Sequence, residues 1–306
     1  MSNAGSRPPG VPQPPFAASG NFLALLTANK LSVLDASLNE IGSSQNLTNG
    51  GLLAAVPGGW LLAHSFQIQF IDTTGAASPA IVIPHEHSVK PVALVYGAAG
   101  RVLLLWRDFT APSQNQVKAI ITMQDGTVVV APFILMGESL DTGPIGVTSN
   151  ESSFFVGPSD GTLRRYLPDG TLAGTVSGYR VGWPTMLTWG NSIGWYIAEV
   201  PPQSGTFFAQ RFDGSGAPVG TEITLAAPGR PVAFFADGDA LIAAISETTP
   251  SSLSRFSVIR FDQTGAIASS VEVGVGFELH ASLFANGIAL TWSHASVTDV
   301  ATVAIP

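Results

Sequence analysis

The stretch PHEHSVKP at 84–91 places His85 and His87 on either side of Glu86. In an extended segment, residues i and i+2 project to the same side, so the two imidazoles have the spacing of a shared metal or partner contact. A metal centre needs three or four ligands, and no second cluster of His, Asp or Glu accompanies this pair. The expectation is a solvated loop without metal, with partner contact as the second reading. LLLWRDFTAPSQNQ brings Trp106, Arg107 and Asp108 to a strand end ahead of a long polar loop; neighbouring Arg and Asp read first as an ion pair and second as a partner contact. SGYRVGWPTMLTWGNSIGWYIAEV is rich in aromatics. There Trp195 has the mid-strand position of a packing residue, whereas Tyr179, Arg180 and Trp183 fall in a connection, where aromatic faces and a guanidinium make binding hot spots. Acid–base chemistry has one local pair to draw on, Glu278 and His280 in ELHASLF. With no ring of carboxylates or histidines around them, a hydrolase or lactonase ranks third among the function classes, and no cofactor is expected.

These residues are positioned by a repeat. SVLDASLNEIG, QFIDTTGAASP, TMQDGTVVVAP, RYLPDGTLAGT, RFDGSGAPVGT and RFDQTGAIASS share an alternating run, an Asp and a small-residue turn. The aspartates are Asp35, Asp72, Asp125, Asp169, Asp213 and Asp262, about 45 residues apart, the period of a four-stranded propeller blade. Asp and Gly at a strand end suit tight hairpins, so the aspartates read as turn formers rather than calcium ligands. A second set of turns keeps the same period: AASGN, PGGW, GAAGR, TSNES, TWGNS, ADGDA and ANGIA. Seven of these against six Asp hairpins predict an all-β fold, a single β-propeller of seven four-stranded blades, with six as the alternative. Residues 16–306 form the propeller. The Pro-rich arm 1–15 is expected to supply the outer strand of the last blade, since joining the two ends in one blade removes exposed edges.

The repeats RYLPDGTLAGT, RFDGSGAPVGT and RFDQTGAIASS resemble, at fold level, bacterial β-propellers with NHL-like or surface-repeat blades, in which a strand ending in FD-x-x-G leads to a short outer strand. The resemblance extends at lower quality over 17–306. It implies a blade hairpin and no single activity.

Composition narrows the partners. Net charge is −8 with three lysines (Lys30, Lys90, Lys118), which argues against nucleic acid and anionic membrane surfaces. No apolar run reaches the length of a membrane span, so no membrane insertion is expected. With no cysteine, disulfides and thiol chemistry are excluded. The N-terminus shows no apolar leader, and an extracellular or surface location is expected only if the chain derives from an exported precursor. In a propeller, the connections from second to third strand and from outer strand to the next inner strand share one face. All five histidines, Arg107, Asp108, Tyr179, Arg180 and Trp183 fall on or beside it. The first expectation is therefore a non-enzymatic module binding carbohydrate or protein through this face. A structural subunit of a larger assembly is the alternative, favoured by a low charged fraction of 11%.

Overall fold

The computed structural model describes residues 16–305, apart from the short segments 28–29, 45–50, 65–66, 84–87, 112–113, 140–144, 183–184, 191, 201–203, 250–252, 285–286 and 295–296. It is an all-β single β-propeller. Each sheet is an antiparallel meander whose strands pair in chain order. Five sheets have four strands: Phe16–Ser44, Leu52–Val82, Ser88–Ser139, Gly146–Ser177 and Thr185–Leu225. The last has six and spans Arg230–Ala304.

Six sheets, rather than the seven expected, therefore make the ring. The reason is local. The strand Ile267–Phe284 runs 18 residues without a turn. Its first half pairs with Ser254–Phe261 and its second with Gly287–His294. Between the halves the ladder breaks at Phe277/His280, and Glu278 lies at φ 54°. That irregularity folds the sheet over, so that its two ends face each other across an apolar cluster of Ile242, Phe256, Val258, Ala281 and Leu290. Comparable clusters sit between neighbouring sheets. Closure of the ring rests on Leu23, Leu25 and Leu34 of the first sheet against Phe284 and Ala289 of the last. The interior is thus a circle of separate interfaces with no common centre.

The six Asp-marked turns share one geometry, a five-residue loop. Its first residue donates its N–H to the fifth, and the fourth donates back to the first. Asp72–Ala76, Asp213–Ala217 and Asp262–Ala266 close this way at 2.9–3.0 Å. Met123–Thr127 and Leu167–Thr171 close the same way with Asp shifted to the third position. The fourth residue must take a positive φ, and Gly75, Gly126, Gly170, Gly216 and Gly265 do so at 83–88°. In the first sheet the same position holds Leu38, at φ 64°.

The positive φ is only half of the requirement. Strands in a sheet twist by about 20–25° each, so the third step swings every outer hairpin onto the preceding sheet. A Cβ on Gly75 would meet Ser43 N at 2.6 Å, and one on Gly265 would meet Thr224 O at 2.3 Å. On Gly126 it would meet Ile81 at 2.4 Å, and on Gly170 it would meet Val130 at 3.0 Å. Each of these neighbours lies on the outer strand of the sheet before. The hairpin is a latch between units.

Two substitutions separate the latch from the bare backbone demand. Gly58 has φ 78° and nothing within 4 Å of where a methyl group would sit, so Gly58→Ala should cost about 1 kcal/mol. Gly265→Ala adds the collision with Thr224 and should cost about 2–4 kcal/mol in denaturant titration. Equal costs would show that the hairpin does not bear on its neighbour.

Candidate functional site

The connection between the fourth and fifth sheets carries the aromatic candidates. Tyr179 is buried, its ring stacked on Tyr196 with centroids 4.5 Å apart. Its hydroxyl donates to Gly216 O at 2.7 Å, inside the Asp213 hairpin of the next sheet. Burial, with Asp213 and Tyr196 close by, pushes this phenol well above its ordinary pKa, so it remains a donor. Tyr179 therefore anchors the connection from beneath. Next to it, Arg180 reaches outward with 46% of its side chain exposed. Its Nε donates to Glu222 Oε1 at 2.7 Å, and its guanidinium lies 4.0 Å from the centre of the Phe208 ring. An exposed Arg is thus held in one orientation by an ion pair and a cation–π contact, from two strands of the fifth sheet. Trp183 lies outside the described residues.

The third sheet treats its candidates differently. Trp106 is 1% exposed and belongs to the core between the second and third sheets. Arg107 is 7% exposed and Asp108 fully buried. Lys118 on the neighbouring strand donates its ammonium to Asp108 Oδ2, a cross-strand ion pair that sequence spacing does not reveal. Cross-strand register sets that pairing, with Trp106 opposite Lys118. His85 and His87 lie outside the described residues. Among the described residues no group of three His, Asp or Glu is arranged to hold a metal ion.

One residue on this side of the ring, Glu199, escapes the sequence reading. Glu199, 2% exposed, ends the strand Ile193–Glu199. Its Oε1 accepts the Gly205 N–H at 2.8 Å, and its Oε2 lies 4.0 Å from Arg230 on the first strand of the sixth sheet. The pair ties the fifth sheet to the sixth. A carboxylate beginning a Pro-rich loop is the available signal. Glu278 is exposed at the irregularity of the long strand, two residues before half-buried His280. Trp195 packs with Phe207, Leu241 and Phe261 between the fifth and sixth sheets, as its mid-strand position implies.

The hairpin side is acidic. Hydrogen bonds hold all six turn aspartates below the usual carboxylate range. The side-chain hydroxyls of Thr74, Ser215 and Thr264 are the leading cause at Asp72, Asp213 and Asp262. Backbone N–H groups of Asn39, Thr127 and Thr171 lead at Asp35, Asp125 and Asp169. His64, at the end of the strand Gly59–His64, is lowered for a different reason: burial favours its neutral form.

No family model matches the sequence, and no curated protein matches it. Solved structures match at the level of the fold. BBS1N, in a crystal structure in complex with ARL6DN, is 12% identical with a TM-score of 0.63, covering 100% of this chain and 95% of that one. A chain of the mitotic checkpoint complex is 9% identical with a TM-score of 0.62, covering 99% and 90%. BamB from Moraxella catarrhalis is 14% identical with a TM-score of 0.55, covering 93% and 83%. The resemblance drawn from the FD-x-x-G repeats thus holds for the propeller fold and assigns no NHL family.

Two outcomes follow for stability. The turn aspartates have folded pKa values below their unfolded ones, so their contribution is complete above the ordinary carboxylate range and is lost as pH falls through the lowered values. The lowered His64 acts with the same sign from about pH 6.5 downward. Denaturation midpoints should therefore be level above pH 7, ease slightly towards pH 5 and drop steeply below about pH 4. His64→Phe should remove the upper step only, and a flat profile to pH 3 would contradict the turn assignment. Lys118→Met leaves Asp108 buried without its ammonium and should cost about 3 kcal/mol, whereas Arg180→Ala should stay within about 1 kcal/mol.

Proposed function

We propose that the chain is a non-enzymatic protein-binding module acting through the connection side of the ring at the fifth sheet. The observation that carries this reading is Arg180. It is exposed yet fixed by Glu222 and Phe208, on a connection that Tyr179 pins from below. A preoriented guanidinium beside an aromatic ring loses little freedom on binding, which is the profile of an interface anchor. Protein is preferred to carbohydrate because Tyr179 is buried and its hydroxyl is spent on Gly216, leaving no open Tyr179 face for a sugar ring. The solved propellers it resembles include chains described in complexes with other proteins, which adds weight to the same choice.

The test is quantitative affinity capture with the full chain, comparing wild type with Arg180→Glu, beside a glycan array. A protein recovered by wild type and reduced at least tenfold by Arg180→Glu is the expected result. Reproducible glycan binding with no protein lost on substitution would overturn it.

A further inference from the structure

We infer, on the reading of this connection as the binding surface, that the partner segment presents an Asp or Glu carboxylate beside an aliphatic side chain. The carboxylate is taken by Arg180 and the aliphatic group by Val181. Both residues sit on backbone that is fixed at every step. The Tyr179 N–H donates to Gly161 O at 3.2 Å, on the fourth sheet, and the Tyr196 hydroxyl donates to Arg180 O at 3.3 Å, from the fifth. Gly182 lies so close to the end of the strand Ile193–Glu199 that a Cβ there would meet Glu199 O at 2.7 Å. Val181 lies against Gly161, with its Cγ2 3.0 Å from where a Cβ on that glycine would sit. It is nevertheless 67% exposed, the most exposed large apolar side chain among the described residues.

The way Arg180 is held decides what it can still bind. Strand register places Phe208 opposite both Ala198 and Thr224, so Glu222, two residues from Thr224, shares the face of Phe208. Phe208 occupies one face of the guanidinium and Glu222 occupies Nε. Among the described residues Nη1 and Nη2 take no partner. What remains open is the terminal pair of N–H donors, a planar fork that matches the two oxygens of a carboxylate. A phosphate would also fit the fork, but Glu222 is 28% exposed beside it and repels an incoming anion in proportion to its charge. A carboxylate brings one negative charge and a phosphate monoester about 1.5 to 2, so the lone Arg beside a Glu favours the carboxylate. The neighbouring Val181 has no polar atom to offer, and covering it from water favours an aliphatic group next to the acid.

Selection of a random displayed peptide library on the full chain tests this, followed by affinity measurement on the enriched peptides. The expected result is enrichment of Asp or Glu next to Val, Ile or Leu. Neutralising that acid to Asn or Gln should weaken binding to wild type at least about tenfold, but binding to Arg180→Gln less than about twofold. Arg180→Lys, which keeps the charge and loses the fork, should bind at least about fivefold more weakly than wild type, and Val181→Ser about fivefold more weakly. If no enriched peptide depends on Arg180, the binding reading of the connection fails and the inference falls with it. If binding depends on Arg180 but survives neutralising the acid, or tightens when phosphoserine replaces it, the reading stands and the carboxylate is overturned. Enriched peptides indifferent to Val181→Ser would overturn the aliphatic half.

Discussion

The structure depends on one contact made over and over: the turn of an outer hairpin against the outer strand of the sheet before it. Strand pairing holds each sheet together, but it runs only within a sheet. Adjacent sheets are joined by side chains, and the latch sets their spacing at the rim, where the sheets fan apart and apolar packing thins. At Gly75, Gly126, Gly170 and Gly265 two demands meet at a single residue, a positive φ and the absence of a Cβ, whereas Gly216 has ordinary room around it and the first sheet carries Leu38. The aspartate nearby serves that residue by accepting hydrogen bonds from N–H and hydroxyl groups of the turn, which holds its carboxyl below the usual carboxylate range.

This division of labour explains which features are readable from the chain. The hairpins are legible because their geometry is local and demands particular residues, so Asp and Gly recur wherever the shape recurs. Trp195 is legible for a similar reason: a large apolar ring in the middle of an alternating strand has nowhere to go but an interface. The sheet count is not. GVGFELHASLF reads as a connection followed by a new inner strand, with Gly274 and Gly276 marking the gap. Both glycines are instead places where the chain passes close to Trp292, and the strand continues through them. A glycine that makes a turn and one that makes room look the same in sequence.

The candidate site divides along the same line. Asp108 and Lys118 are ten residues apart, and only the register between two strands brings them together. Tyr179 does lie in a connection, but the twist that carries the Asp213 hairpin around to its hydroxyl belongs to the whole ring. Sequence therefore points to the right segment and cannot say which side chain faces outward. Arg180 does; Tyr179 supports it.

The unbroken strand Ile267–Phe284 makes the last two repeats mechanically one piece. Elsewhere neighbouring units are separate sheets joined by side-chain packing and the hairpin latch, but there the backbone itself runs unbroken from one unit to the next. The join between the first and last sheets is the opposite extreme, since among its described residues it relies on side-chain packing and the Ala18 N–H to Ser282 hydroxyl contact. Tension applied to the two chain ends would thus find a stiff arc beside a seam. The ring has a defined place to open, set by where its chain happens to be continuous.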